Sequence, residues 1–317
     1  MSRFLVQRLF FCAVLIVIVA SSALLLTRLA PGDLTTGLGS QATAREVSDA
    51  RARFGLDRPI MVQWAAWAAR AVRLDFGESF RYQQPVAPLV LQAAANSAIL
   101  AGAALFVATF AGVGLGIFTG SRRGVMPAIV RAVSVAAVSM PPLLTSLALL
   151  FLAARTGWFP VGGMSSSDAG QQGQQWNELA AHLPLPVLAL ALPIAATFER
   201  LQSAAISEQI HQPFVTAAAA RGVPPARLVL RHAWPVSVKS VAAIYGVAAG
   251  SLLSGSFAVE FVTAWPGLGR LMYDALQARD LYLVAGCAAV GGAVVSLGML
   301  LGDVLLALSD PRVREME

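Results

Sequence analysis

Lysine is almost missing from this chain: of 23 basic residues in 317, all but Lys239 are arginine. A phosphate-cradling loop needs GxxxxGK followed by Ser or Thr. Lys239 lies in Pro235-Val236-Ser237-Val238-Lys239-Ser240, with no glycine ahead of it, so the chain has no P-loop with which to hydrolyse ATP. Charge of either sign is scarce. Charged residues make up 13% and hydrophobic residues 57%, where soluble domains carry about 25% charged residues. That deficit excludes an ordinary soluble domain and points to a polytopic membrane protein. The two cysteines, Cys12 and Cys287, both sit in apolar runs, which leaves no disulfide framework and no Cys/His metal spacing. The three histidines (182, 211 and 232) are isolated. Neither HExxH nor GxSxG occurs, so no catalytic, metal or cofactor set is assigned. The net charge of +6 does not indicate nucleic acid, because the arginines flank apolar spans rather than alternate with exposed aromatics.

What is present is long apolar runs. A membrane-spanning helix needs about 20 such residues. Six spans are expected, at about 9–26, 99–118, 129–154, 183–198, 241–262 and 283–308. Pro141-Pro142 in the third and Pro184, Pro186 and Pro193 in the fourth predict bends. Arg3 and Arg8 precede the first span, Arg122, Arg123 and Arg131 follow the second, and Arg200, Arg221, Arg227, Arg231 and Lys239 follow the fourth. Cytoplasmic loops are rich in Lys and Arg, so both termini are placed in the cytoplasm. The first outer loop carries eight arginines, but loops of its length are exempt from the charge rule. The N-terminal apolar run, about 18 residues long with no small-x-small site before Arg28, is expected to be a retained span, not a signal peptide.

The outer loop, 28–94, is expected to be partly helical. Thr43-Ala44-Arg45-Glu46 fits a capping box opening a helix that ends at Gly55. Trp64, Trp67, Ala68, Ala71 and Val72 recur at helical spacing opposite Arg70 and Arg73. This is an amphipathic helix, lying at the membrane interface or forming part of a docking surface for an external partner. The polar run from Gly162 through Gln175 reads as a flexible outer connection.

Ionisable residues in spans are candidates for function. Glu199 and Arg200 close the fourth span and Glu260 lies near the outer end of the fifth. Asp303, within the last span, is the best buried candidate and is assigned a structural role.

The densest signal lies between the fourth and fifth spans. Thr216-Ala217-Ala218-Ala219-Ala220-Arg221-Gly222 is followed by Pro224, Arg227, Arg231 and His232. The alanines favour a short helix whose small side chains let a partner approach closely. Gly222 is suited to end that helix, and Pro224 or Pro225 to begin the next. A knob of this kind on the cytoplasmic face suits docking. Phe54-Gly55-Leu56-Asp57-Arg58-Pro59 with Gln63 and Trp67, and then Asp75-Phe76-Gly77-Glu78-Ser79, form a second set of motifs. Trp265-Pro266-Gly267-Leu268-Gly269-Arg270 and Asp310-Pro311-Arg312-Val313-Arg314 complete them.

In these motifs, in this order, the chain resembles the permeases of ATP-binding-cassette importers, in the dipeptide, oligopeptide and nickel branch. The resemblance covers nearly the whole chain and is to the first of the two permeases such systems encode. It implies an all-α, type I importer permease fold in one transmembrane domain over 1–317, in the bacterial cytoplasmic membrane. Residues 199–240 would be its cytoplasmic coupling region. It also implies a second homologous permease, two cytoplasmic ATPases that carry ATP and Mg, and an external substrate-binding protein. The coupling residues would be Thr216, Ala217, Ala218, Ala219, Gly222 and Arg227. The wider family has Glu where this chain has Thr216, which removes a specific salt bridge there but not the docking. Pore-lining residues and the substrate are not assigned. The competing reading, a stand-alone secondary transporter or channel, calls for ionisable residues in the spans and inverted repeats. Only Asp303 meets the first demand clearly, and no repeat is evident.

Overall fold

The computed structural model describes residues 2–29, 57–164 and 175–309, together with the single positions Arg45 and Ala52. The helix expected from Thr43 to Gly55, the Phe54-Gly55-Leu56 part of the loop motif, most of the polar run before Gln175 and the Asp310–Arg314 tail lie outside these residues.

Helices make up nearly all of the regular structure. In chain order they are α1 (Ser2–Leu29), α2 (Ile60–Ala71), α3 (Val86–Ser121), α4 (Val125–Val138), α5 (Pro142–Thr156), α6 (Gln175–His182) and α7 (Pro184–Gln209). Then come α8 (Pro213–Ala220), α9 (Pro225–Arg227), a π-helical turn (Leu228–Ala233), α10 (Trp234–Val262), α11 (Leu268–Gln277) and α12 (Leu281–Ser309). Among the described residues, five helices are long and apolar enough to cross a membrane, or six if the bent pair α4–α5 counts as one span. That pair turns by 110° where Pro141 holds an extended backbone and Pro142 opens α5. The expected kink is thus a full break, because a residue before proline is driven out of the helical region.

Several helices overrun the expected spans. The second begins at Val86, not at 99, and the fourth continues to Gln209. Pro184 and Pro186 do not weaken the start of α7, since the first-turn amides of a helix have no intrahelical acceptor to lose. Pro193 lies inside α7 without ending it, and Thr197 Oγ1 donates to the Pro193 carbonyl at 2.9 Å.

The chain divides into two compact units. One holds Ala98–Trp265 and the stretch from Leu297; the other holds Ser2–Ser97 and Pro266–Ser296. In the second unit, Ala20 and Leu24 of α1 share a buried cluster with Trp67, Phe76, Val86, Val90, Leu283 and Val284. The amphipathic helix is present as α2, but its tryptophans serve the protein's own core. Trp67 is buried and donates through Nε1 to the Phe76 carbonyl at 3.2 Å. Trp64 Nε1 donates to Ser21 Oγ of α1 at 2.8 Å. Val72, expected on the apolar face, is 87% exposed, since α2 ends at Ala71.

In the first unit α7 is the hub, packing against α4, α5 and α10. Gly112, Gly116 and Gly120 of α3 recur every four residues and therefore share one face of the helix. A β-carbon added at Gly112 would stand 2.5 Å from the Ala195 carbonyl oxygen. One at Gly116 would stand 2.6 Å from Gln202 Cβ, and one at Gly120 would stand 2.5 Å from the Ser203 carbonyl oxygen. The stripe thus lets α3 lie directly on the α7 backbone, the close approach that small residues permit between membrane helices. Gly246 and Gly302 meet in the same way between α10 and α12. Phe198 of α7 stacks on Tyr245 of α10 with ring centroids 5.8 Å apart. Tyr245 Oη lies 3.0 Å from Thr109 Oγ1 of α3.

Candidate functional site

The segment joining α7 to α10 is compact and belongs wholly to the first unit. After Gln209 the chain turns, and Pro213 starts α8 at the first helical position, where its missing amide costs nothing. The helix ends in a double hydrogen bond: Gly222 N donates to the Ala219 carbonyl at 2.9 Å and Val223 N to the Ala218 carbonyl at 3.3 Å. This is the Schellman arrangement, which needs a left-handed residue just past the helix. Gly222 supplies it with φ of 81°. Pro224 then caps α9, with Pro225 at its first position. The π turn Leu228–Ala233 carries the chain into α10, and α8 packs against that turn.

This geometry sorts the candidate residues by face. Thr216, Ala217, Ala219, Gly222 and Arg227 are exposed. Ala218 is not: at 1% exposure it joins Val215 on the inward face of α8, so within the structure it supports the helix from behind. The Thr216 hydroxyl donates to the Gln212 carbonyl at 3.2 Å, a local bond that occupies it within its own helix. Arg221 Nε donates to the Ala217 carbonyl at 3.3 Å, placing a cation at the helix C-terminus, where the dipole favours it.

Behind this segment lies a buried polar seam that the sequence analysis did not connect. Glu199 is fully buried, and Thr119 Oγ1 of α3 donates to its Oε1. One turn further along α7, Gln202 Nε2 donates to Ser237 Oγ of α10 at 2.7 Å, and the Ser237 hydroxyl donates in turn to the Trp234 carbonyl at 3.0 Å. Glu199 Oε2 and Gln202 Oε1 are buried without a hydrogen-bond partner. The four-residue glycine period of Gly112, Gly116 and Gly120, which brackets Thr119, was the readable signal. It marks the α3 face that lies on α7 and so brings Thr119 to Glu199. Of the other ionisable candidates, Glu260 is fully buried, not open to water, and Asp303 is half-buried.

A second residue that the sequence analysis did not single out is Asp280. It is 1% exposed. Its Oδ2 accepts from Ser79 Oγ at 2.6 Å and Arg81 N at 3.0 Å. Its Oδ1 accepts from Leu283 N at 3.2 Å, capping the start of α12. Around it the Asp75–Ser79 motif folds into a knot. Asp75 Oδ1 accepts from Gly77 N at 3.0 Å, Phe76 enters the core, and the Gly77 carbonyl accepts from Val86 N at 2.9 Å. Gly267 of the Trp265–Arg270 motif begins α11, where Leu268 N donates to Ser97 Oγ at 2.7 Å. Trp265 itself is fully buried in the core of the first unit. Among the described residues no group of His, Cys, Asp or Glu is placed to hold a metal ion.

The chain is a member of the family described as binding-protein-dependent transport system inner membrane component, whose model matches residues 112–315. The companion N-terminal model of that family matches residues 1–100. Among its relatives is the oligopeptide transport system permease protein OppB of Mycobacterium bovis, 32% identical over 326 residues that cover 99% of each chain. Another is the protein of the same name from Escherichia coli K12, 29% identical over 323 residues, covering 99% of this chain and 100% of that one. The chain is therefore a multi-pass inner-membrane permease component of an ABC import system.

Proposed function

We propose that this chain forms half of a translocation pathway for di- or oligopeptides, and that Thr216–Arg227 couples it to a cytoplasmic ATPase. The partners are a second, homologous permease, two ATPase subunits that bind ATP and Mg, and an external substrate-binding protein. The chain itself binds no nucleotide. The observation that carries the coupling role is the face of α8: Thr216, Ala217 and Ala219 are exposed on a helix anchored from behind by Val215 and Ala218. Small side chains let another surface approach the backbone closely, and the Gly222 turn fixes the angle at which the helix stands out. Relatives whose names state peptide or oligopeptide transport along their full length support the cargo class.

In this mechanism ATP binding draws the two ATPases together and moves the docked helices. The motion reaches the spans through the π turn and α10, favouring one of two access states as a rigid-body change. The test is reconstitution of the chain with its partner subunits in proteoliposomes, followed by uptake of a labelled tripeptide. ATP-dependent uptake that is lost in Ala217→Arg, with the permease pair still assembled, is expected. Uptake that persists without the ATPases would overturn the reading in favour of a self-contained transporter. ATP-dependent uptake of another solute class but of no peptide would overturn the cargo and leave the coupling.

A further inference from the structure

Within the first unit, the end of α3, the loop after it, α4 and the last turns of α7 border an open cavity of about 650 Å3. Its wall holds Arg122, Arg123, Arg131 and Arg200, with His211 at its edge and Glu199 at its floor. The arginines come from three separate stretches of chain. Counting histidine neutral, the lining holds four arginines and one glutamate, a surplus of three positive charges around one space. None of the four forms an ion pair with a described carboxylate. The side chains of Arg123 and Arg200 make no hydrogen bond among the described residues. Arg122 lies 5.5 Å over the Phe118 ring. Arg131 donates through Nη2 to the Thr119 carbonyl at 3.1 Å and the Arg122 carbonyl at 3.5 Å, closing the C-terminus of α3.

All four are exposed, Arg122 and Arg123 on the loop between α3 and α4, but they line one space, and like charges around one space repel unless an anion joins them. Guanidinium forks match phosphate oxygens in geometry and charge. The volume suits a small ligand. Glu199 is fully buried and its Oε1 already accepts from Thr119, so an anion is held off the floor and kept at the arginine rim. The arginine bias places this rim on the cytoplasmic side, where lipid phosphates and soluble phosphates both occur.

We propose that this cavity is a binding site for a phosphate-bearing anion, held by Arg122, Arg123 and Arg200 with Arg131 behind them. The experiment uses the purified complex of this chain with its partner subunits, stripped of lipid. Native mass spectrometry then counts retained phosphatidylglycerol against phosphatidylcholine, and a titration with inorganic phosphate runs in parallel. The double variant Arg123→Gln/Arg200→Gln removes the two arginines that have no internal bond. Phosphatidylglycerol retention is expected to fall about tenfold or more in that variant, with the subunits still assembled, and to recover largely in Arg123→Lys/Arg200→Lys. Inorganic phosphate binding that shows the same arginine dependence, with no preference for phosphatidylglycerol, keeps the site and assigns its source as a soluble anion. Equal binding of both probes by the parent and the double variant overturns the proposal. Release of the ATPases without any change in phosphate-group binding also overturns it, by making the arginines a subunit contact. If the double variant does not assemble, Arg123→Gln alone is scored in the same way.

Discussion

The turn at Leu74–Pro85 and the segment at Pro213–Arg227 are built from the same local parts, yet one buries its key side chains within its own unit and the other exposes most of its own. Each joins two helices, and each uses a left-handed residue. In the turn the motif folds inward. Phe76 and Ser79 are buried, and a carboxylate from elsewhere in the chain, Asp280, accepts three hydrogen bonds from the knot and the helix it caps. In the segment the motif folds outward, and only Val215 and Ala218 turn in. One motif is therefore fold-forming, while the other leaves most of its residues exposed. What separates them is that a buried carboxylate from a distant part of the chain closes the first, whereas the bonds of the second are local to its own helix.

The largest effect is expected where burial is tightest, in the α3–α7 seam outside both regions, which sets the scale for the contrast. Gly116→Leu puts a side chain where a β-carbon already stands 2.6 Å from Gln202 and 2.8 Å from the Glu199 carbonyl. Backbone cannot yield as a flexible side chain would, so a loss of about 3 kcal/mol is expected, seen as collapse of thermal stability in detergent. Gly114→Leu, two positions away with nothing within 4 Å of its added β-carbon, is the matched control and should melt like the parent. Equal melting of both variants would show that α3 does not lie on α7.

Asp280→Ala comes next. It strands the Ser79 hydroxyl and the Arg81 and Leu283 amides in a buried site, at about 2–3 kcal/mol. Melting temperature and uptake should fall together, and the Asn variant should recover part of the loss. Ala217→Arg tests the outward half. Melting should be unchanged while ATP-dependent uptake falls about tenfold or more, since a bulky cation on a close-packed docking face costs over 1 kcal/mol. The smallest effect is expected for Gly222→Ala, which forces a side chain into φ of 81° at about 1 kcal/mol. Gly222→Asn should cost less, because asparagine tolerates that conformation better. A melting curve unchanged in Gly222→Ala would mean that the α8 cap is not held in this form.

The arginine-flanked apolar runs placed most spans, and the proline pairs marked where helices break or begin. The α8 helix and its glycine stop were legible because both signals are local: alanine propensity, and a position that only glycine occupies without strain. Less legible was which face of each helix meets which neighbour. Val72 continues the apolar spacing of α2 yet falls outside the helix, and Ala218 is chemically identical to Ala217 but points the other way. No sequence period distinguishes them, because the difference depends on what α8 packs against.

Composition by itself determined the class of solvent, the absence of a P-loop and the helical character of the chain, since these depend on counts and local order. Charge bias gave the expected orientation. Tertiary structure decided the pairings across long sequence separations: Ser79 with Asp280, Thr119 with Glu199, Gln202 with Ser237, and four dispersed arginines around one cavity. The reason is geometric. A hydrogen bond or a shared charge site needs atoms within about 3 Å of one another, and only the packing of whole helices sets which distant residues come that close.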